Sequence, residues 1–107
     1  PEVTLGYIPS AGGTQTLPRH ISSSEALRMA TTGESISAEE AYTLGFVQRV
    51  VQRTQLETTV RNWAELLADR EPKALCATKR SVIDGLDRPL EAGLALEQRL
   101  AAAITYT

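Results

Sequence analysis

The sequence of 107 residues has very little of the residue types that hold metals or form disulfides. It contains one cysteine, Cys76, and one histidine, His20, so these side chains can form neither a disulfide framework nor a thiolate or imidazole metal cluster. Cys76 falls on the apolar face of a predicted helix, and we interpret it as a core residue and not as a nucleophile. His20, beside Arg19, could contact a phosphate, although the pattern favours an exposed side chain.

Long apolar runs and clusters of one charge are also missing. No stretch approaches the roughly 20 apolar residues that a membrane-spanning helix needs. The 13 acidic and 11 basic residues give a formal net charge of −2, and the basic residues form no run. We therefore expect neither a membrane nor a nucleic acid among the partners. Because the sequence starts with neither a basic segment nor an apolar stretch, we expect no signal peptide. Because it does not start with methionine, we expect a fragment or a processed product.

What the sequence does have is the composition of a folded domain, with 42% hydrophobic residues. From about Ser22 onward the pattern predicts helices. Three capping boxes, in which a hydroxyl and a carboxylate bond each other's backbone amides, are predicted at Ser22 to Glu25, Ser37 to Glu40 and Thr54 to Glu57. Glycines are predicted to end the first two of these helices.

The second half is predicted to form three longer helices, over residues 54–70, 72–85 and 87–104. Pro72 suits the first turn of the second of them, and Asp87 can cap the third. Trp63 lies on an apolar stripe with helical spacing and is predicted to be buried. Residues 46–51 are rich enough in β-branched side chains for one short strand. The predicted fold class is therefore mainly α with a little β.

The N-terminal segment differs from the rest because it combines one carboxylate with residues that break regular structure. Glu2 precedes Pro9, which fixes φ, and the pair Gly12 and Gly13, which permits dihedral angles closed to other residues. We expect this loop to end just before a short helix over residues 14–19, where unpaired amides collect. A purely structural turn is the alternative interpretation. Glu2 could act as a general acid or base if burial raised its pKa.

The first 19 residues, PEVTLGYIPSAGGTQTLPR, resemble the signature of the enoyl-CoA hydratase, or crotonase, family. The resemblance continues through residues 32–33, 36–41, 44–47, 72–75, 79–80 and 89–97. It implies the C-terminal portion of a crotonase-like α/β (ββα superhelix) fold. Residues 1–21 would then be the end of the catalytic core, with the catalytic glutamate and the Gly-Gly loop. Residues 22–107 would be a helical C-terminal region of the trimerisation type, within one structural unit.

The resemblance also implies roles for individual residues. Glu2 matches the second of two glutamates that hydratases of this family use to handle water, and the Ser10 backbone amide would lie beside that water. Ser10 stands where the family usually has glycine, so its side chain narrows the pocket. Tyr7 could line an acyl pocket, and Lys79 could reach a phosphate of the adenine nucleotide, although a solvated face is the usual role of such a lysine. Coenzyme A is part of the acyl-CoA thioester substrate, so no separate cofactor is expected.

The implied function is the syn addition of water to a 2-enoyl-CoA. The family's first glutamate and its oxyanion amides would precede Pro1, so the chain alone is expected to be inactive. An isomerase or a thioester hydrolase of the same family is an alternative, as is a non-catalytic helical oligomerisation module. The family also implies a homo-oligomer, either a trimer or a hexamer. The location implied is the cytoplasm of a bacterium, or the mitochondrial matrix of a eukaryote.

Overall fold

The structure, a computed structural model, describes residues 1–105. The backbone divides into two compact units, a first unit of Pro1–Gln52 and a second unit that begins at Arg53. Within residues 1–105 both units consist of helices and irregular segments without strands, which confirms the mainly α class. None of the helices in this range has the length and apolar character to cross a membrane. The functional boundary predicted between residues 21 and 22 is a different division and stays a prediction.

The first unit is built from short helices. A 3-10 turn carries Glu2, and the helix predicted over residues 14–19 is present as an α-helical turn followed by a second 3-10 turn that contains Pro18. This division follows from Pro18, which has no amide hydrogen to donate to an α-helical bond. The elements are the 3-10 turn Glu2–Leu5, α1 Gly13–Thr16, the 3-10 turn Leu17–Arg19, α2 Ser23–Thr32 and α3 Ala38–Thr43.

Two of the predicted capping boxes lie in the first unit, and one of them is complete. At the start of α3, the Ser37 amide donates to the Glu40 carboxylate (3.0 Å), and the Glu40 amide donates to the Ser37 hydroxyl (3.1 Å). At the start of α2, the Ser22 hydroxyl accepts from the Glu25 amide (3.3 Å). The Glu25 carboxylate, however, pairs with Arg28 (2.8 Å), so an ion pair one turn along the helix replaces the second bond of the box.

The strand predicted for residues 46–51 is wrong. The Phe46 and Val47 amides both donate to the Ala41 carbonyl, at 2.9 and 3.3 Å. These bonds close the end of α3, where Gly45 has the left-handed φ of 79° that such an ending requires. A strand needs a second strand to receive its backbone bonds, and the first amides of this segment are already bonded to the helix.

The second unit begins with the 3-10 turn Arg53–Gln55, and the capping box predicted at Thr54 is wrong. Thr54 lies inside that turn, and α4 begins only after Gln55, whose side chain makes no capping bond. At α5, by contrast, the Glu71 carboxylate accepts from the Ala74 amide at 2.7 Å. Asp87, predicted to cap the next helix, is the C-terminal cap residue of α5. The helices are α4 Leu56–Ala68, α5 Pro72–Leu86 and α6 Leu90–Thr105.

Helices α5 and α6 pack against each other, and they meet at a pair of glycines. A Cβ atom placed on Gly93 would lie 3.5 Å from the Gly85 carbonyl oxygen and 3.7 Å from the Gly85 Cα. Both distances are ordinary van der Waals contacts, so the two backbones approach each other without side chains between them.

Few side chains among residues 1–105 are buried. The buried apolar residues are Ile21, Ala26, Ala41 and Leu96. Trp63, predicted to be buried, is 42% exposed, and Cys76, interpreted as a core residue, is exposed; both predictions are wrong. Periodicity places these residues on the apolar faces of their helices, but it does not determine whether another element covers the face.

Candidate active site at the N-terminal segment

The turn that carries Glu2 is closed by its own backbone. The Gly6 amide donates to the Val3 carbonyl (3.1 Å), and the Tyr7 amide donates to the Glu2 carbonyl (3.0 Å). The Thr4 hydroxyl donates to the Pro1 carbonyl. Gly6 ends the turn with a φ of 79°, a conformation that costs glycine little. The Thr4 amide donates to the same Pro1 carbonyl (3.0 Å). Four bonds within residues 1–7 therefore close the turn that carries Glu2.

The Glu2 side chain is 50% exposed, and its carboxylate lies 3.1 Å from the Pro1 amino group. A hydrogen bond from its own backbone amide holds the pKa of Glu2 below its ordinary value, and the Pro1 amino group lowers that pKa further. Burial of Glu2 would raise its pKa. In this chain the pKa of Glu2 is lowered instead, because solvent and two hydrogen-bond donors surround the carboxylate. Glu2 is therefore ionised at neutral pH and can accept a hydrogen bond from water.

We expect titration of the Glu2 carboxyl, followed by NMR in the 107-residue chain, to give a pKa below 4.5. The folded state gains stability from this group at a pH above the unfolded pKa, and it loses that stability as the pH falls through the folded value. Extending the chain by one residue before Pro1 converts the amine to an uncharged amide. The pKa should then move towards 4.5 without reaching it, because the hydrogen bond from the Glu2 amide, which lowers the pKa most, remains. A pKa above 4.5 in the unextended chain would contradict this arrangement.

The glycine loop follows the turn and leads directly into α1, as the sequence predicted. Gly12 is the N-terminal cap of α1 with a φ of 101°, and the Thr16 hydroxyl donates to its carbonyl (3.0 Å). A Cβ atom on Gly13 would lie 3.1 Å from the Pro9 Cβ, so glycine allows the loop to fold tightly onto α1. Ser10 is exposed, and within residues 1–105 its amide donates to no acceptor. That amide is available to a water molecule or a ligand.

The other two residues predicted for the site lie in different surroundings. Tyr7 directly follows the Glu2 turn, and its side chain is 69% exposed. Lys79 is on α5 in the second unit, beside an open groove that Cys76 and Arg70 also line. The neighbouring Arg80 pairs with Asp84 (3.3 Å), whereas Lys79 has no ion pair with any residue in the described range. Glu2, Tyr7 and Ser10 thus lie in one N-terminal segment of the first unit, whereas Lys79 lies in the second unit. All four roles stay predictions.

His20 is exposed, as its position favoured, and its ring meets the edge of Phe46 at a centroid distance of 6.1 Å. Across residues 1–105 no three His, Cys, Asp or Glu side chains are grouped so that they could hold a metal ion.

One residue of structural importance to the site was missed by sequence reasoning. Gly33 was predicted only to end α2, yet it also lies against the turn that carries Glu2. The sequence contains no signal for this contact, because the two segments are about 30 residues apart.

Comparison with known proteins gives a consistent match. The model of the enoyl-CoA hydratase/isomerase family matches residues 1–107. The (E)-benzylidenesuccinyl-CoA hydratase of Thauera aromatica is 42% identical over 106 residues, which are 99% of this chain and 41% of that protein. The 2,3-dehydroadipyl-CoA hydratase of Escherichia coli K12 is 37% identical over 107 residues, which are 100% of this chain and 42% of that protein.

The fold agrees with the same group of proteins. The crystal structure of an enoyl-CoA hydratase from Bacillus anthracis superposes with a TM-score of 0.92 at 38% identity, and it covers 99% of this chain and 41% of that one. The chain thus spans about two fifths of the length of the relatives that it matches.

Proposed function

Because the chain belongs to the enoyl-CoA hydratase/isomerase family, whose model matches residues 1–107, we propose that it supplies one of the two glutamates of an enoyl-CoA hydratase. The proposed reaction is the syn addition of water across the C2–C3 double bond of a 2-enoyl-CoA thioester. The observation that supports this most is the ionised Glu2 carboxylate, which is held on a closed turn. The free Ser10 amide follows it within the same segment.

In this proposal, two groups of the chain hold the attacking water. The Glu2 carboxylate accepts a hydrogen bond from it, and the Ser10 amide donates one to its oxygen. The water oxygen bonds to C3, and the electron pair of the double bond moves towards the thioester carbonyl. The negative charge that develops on that carbonyl oxygen needs preorganised donors. One proton of the water goes to C2, and Glu2 and the first glutamate of the family handle the transfers.

We propose that residues 1–107 do not catalyse the reaction by themselves. The family places the first glutamate and the oxyanion amides in a segment N-terminal to the part that residues 1–107 match, and Glu2 alone cannot stabilise the charge on the carbonyl oxygen. The half-exposed Glu2 carboxylate supports this view, because a catalytic carboxylate gains strength when its surroundings exclude water. The substrate proposed is an acyl-CoA thioester, and no separate cofactor is required.

Reconstitution tests the proposal directly. The 107-residue chain is mixed with the N-terminal part of a related hydratase, such as the Escherichia coli relative, and loss of enoyl-CoA absorbance is followed. Activity is expected only in the mixture, because the two glutamates and the oxyanion donors then meet in one site. The matched control is the same mixture with the Glu2→Gln chain. Activity of the 107 residues alone would contradict the proposed division, and a folded, stoichiometric but inactive complex would contradict the hydratase function.

The alternative is a non-catalytic helical module that mediates assembly. The apolar side chains that α4 exposes favour this alternative. Leu56 and Val60, for example, are 56% and 59% exposed, and exposed apolar side chains of this kind mark association surfaces. The two functions are compatible if the chain also forms a homo-oligomer, either a trimer or a hexamer.

An isomerase or a thioester hydrolase of the family would share Glu2, and a product analysis of the reconstituted complex separates these reactions. We propose the bacterial cytoplasm, or the mitochondrial matrix in a eukaryote, as the location.

A further inference from the structure

Gly33 is the point at which the C-terminal end of α2 contacts the turn that carries Glu2. A Cβ atom on Gly33 would lie 2.8 Å from the Thr4 Cγ2, 3.3 Å from the Pro1 Cα and 3.4 Å from the Val3 Cγ1. The first distance is a steric overlap, and the second involves a backbone atom that no rotamer change can move. Residues on both sides of Glu2 therefore occupy the space that a side chain at position 33 would need.

The overlap with Thr4 cannot be relieved cheaply. Its methyl group and its hydroxyl share one β-carbon, and the hydroxyl donates to the Pro1 carbonyl. Rotating the methyl group away from a side chain at position 33 would carry the hydroxyl away from that carbonyl. Since this bond helps to close the turn, any side chain at position 33 must either break it or displace the turn as a whole.

We propose that Gly33 is a positioning residue for Glu2. Because Gly33 lacks a side chain, the turn that carries Glu2 can pack directly against the end of α2, and this packing holds the turn in one position and orientation. This inference rests on the proposed function of Glu2. It extends that function to a residue that contacts no substrate and acts only through the turn. A displacement of about 1 Å at a catalytic group can lower a rate about 100-fold, so a contact of this kind can control turnover.

The chain offers a matched control at Gly45. Gly33 and Gly45 end successive helices with φ values of 71° and 79°, so alanine meets similar left-handed strain at both positions. A Cβ atom on Gly45, however, has no neighbouring atom within 4 Å. The difference between Gly33→Ala and Gly45→Ala therefore isolates the contact with the turn from the backbone strain that the two variants share.

The experiment uses the natural gene product that carries these residues. It measures steady-state hydration of crotonyl-CoA and, in the same preparations, hydrogen exchange at the Gly6 and Tyr7 amides, whose bonds close the turn. Gly33→Ala is expected to lower kcat about tenfold or more with KM changed less than about threefold, because only the geometry of Glu2 is altered. Exchange at both amides should rise. Gly45→Ala should leave kcat and both exchange rates close to those of the unchanged protein.

A second substitution tests the direction of the effect. Thr4→Ser removes the methyl group that overlaps and keeps the hydroxyl, so adding it to Gly33→Ala should recover most of the lost kcat and of the lost exchange protection. Rescue would show that the loss arises from the overlap between the alanine side chain and the Thr4 methyl group. A loss of kcat that persists in the double variant would overturn the proposed action of Gly33 through the turn.

The possible results separate this inference from the function on which it rests. Equal behaviour of Gly33→Ala and Gly45→Ala would overturn the positioning role, as would faster exchange at Gly6 and Tyr7 without a fall in kcat. An unchanged kcat in Glu2→Gln would instead overturn the proposed function. In that case, exchange at the two amides still reports whether Gly33 seats the turn.

Discussion

Replacing Glu2 by glutamine in the natural gene product is expected to lower kcat for crotonyl-CoA hydration by roughly 10²–10⁴-fold, the usual contribution of a positioned acid or base. Glutamine keeps the size of the side chain and can still bond to water, but it cannot take up or return a proton. The Glu2 carboxylate is ionised and lies beside solvent, so its loss leaves the attacking water without a proton acceptor from this chain. Binding of coenzyme A should change little, because the ligand contacts remain.

Glu39→Gln is the matched control for that measurement. Glu39 is an exposed carboxylate in the same unit, at the first turn of α3, and its replacement changes the net charge by the same amount. Its kcat is expected to equal that of the unchanged protein. A fall of less than about tenfold in Glu2→Gln, which corresponds to roughly 1.4 kcal/mol of barrier, would remove Glu2 from the catalytic groups. An equal fall in both variants would show a general effect of charge.

The second large effect is expected in solution behaviour: the 107-residue chain should associate and should not form a stable monomer of 11.6 kDa. On α4, Leu56, Val60 and Leu67 lie on one helical face and are 56%, 59% and 51% exposed. Exposed apolar area of this kind favours association. Complete burial of a fully exposed side chain of this size stabilises by about 1.5–3 kcal/mol, and these side chains can gain about half of that. Sedimentation at micromolar concentration is the measurement.

Val60→Glu should weaken that association about tenfold or more, since it replaces an apolar contact with a charge that must be desolvated. Thr58→Glu is the control, because residue 58 lies about 160° from residue 60 around the helix axis. It adds the same charge on the opposite face of α4 and should leave the association unchanged. A compact monomer in the unchanged chain would contradict the prediction, and equal weakening by both variants would assign the effect to charge alone.

The elements that could be predicted from the sequence are those with local causes. The complete box at Ser37 and Glu40 depends on two side chains three residues apart, and the start of α5 at Pro72 depends on one. The strand predicted for residues 46–51 was wrong, because a strand depends on a partner strand and not only on its own composition. The capping box at Thr54 was predicted wrongly because the 3-10 turn before α4 moves the N-terminal cap from Thr54 to Gln55, and no local signal marks that shift.

The candidate site shows the same division between local and distant causes. The glycine loop before α1 follows from the residues themselves, and the roles of Glu2 and Ser10 came from the resemblance to a family. The contact of Gly33 with the turn could not be predicted, because it joins segments that only the folded chain brings together. The exposure of Trp63 has a related cause: a helical stripe indicates where apolar side chains lie, but what covers them is a tertiary property.

The meeting of α5 and α6 at Gly85 and Gly93 has a cost in conformational entropy. Each glycine inside a helix lowers helix stability by roughly 0.5–1 kcal/mol relative to alanine, because the unfolded chain has more freedom to lose there. The two glycines together therefore lower helix stability by about 1–2 kcal/mol, and they allow direct contact between the two backbones. Such a contact gains dispersion energy from every atom along the crossing. The hairpin is thus stabilised less by its individual helices than by their mutual contact, so α5 and α6 should order together and not one after the other.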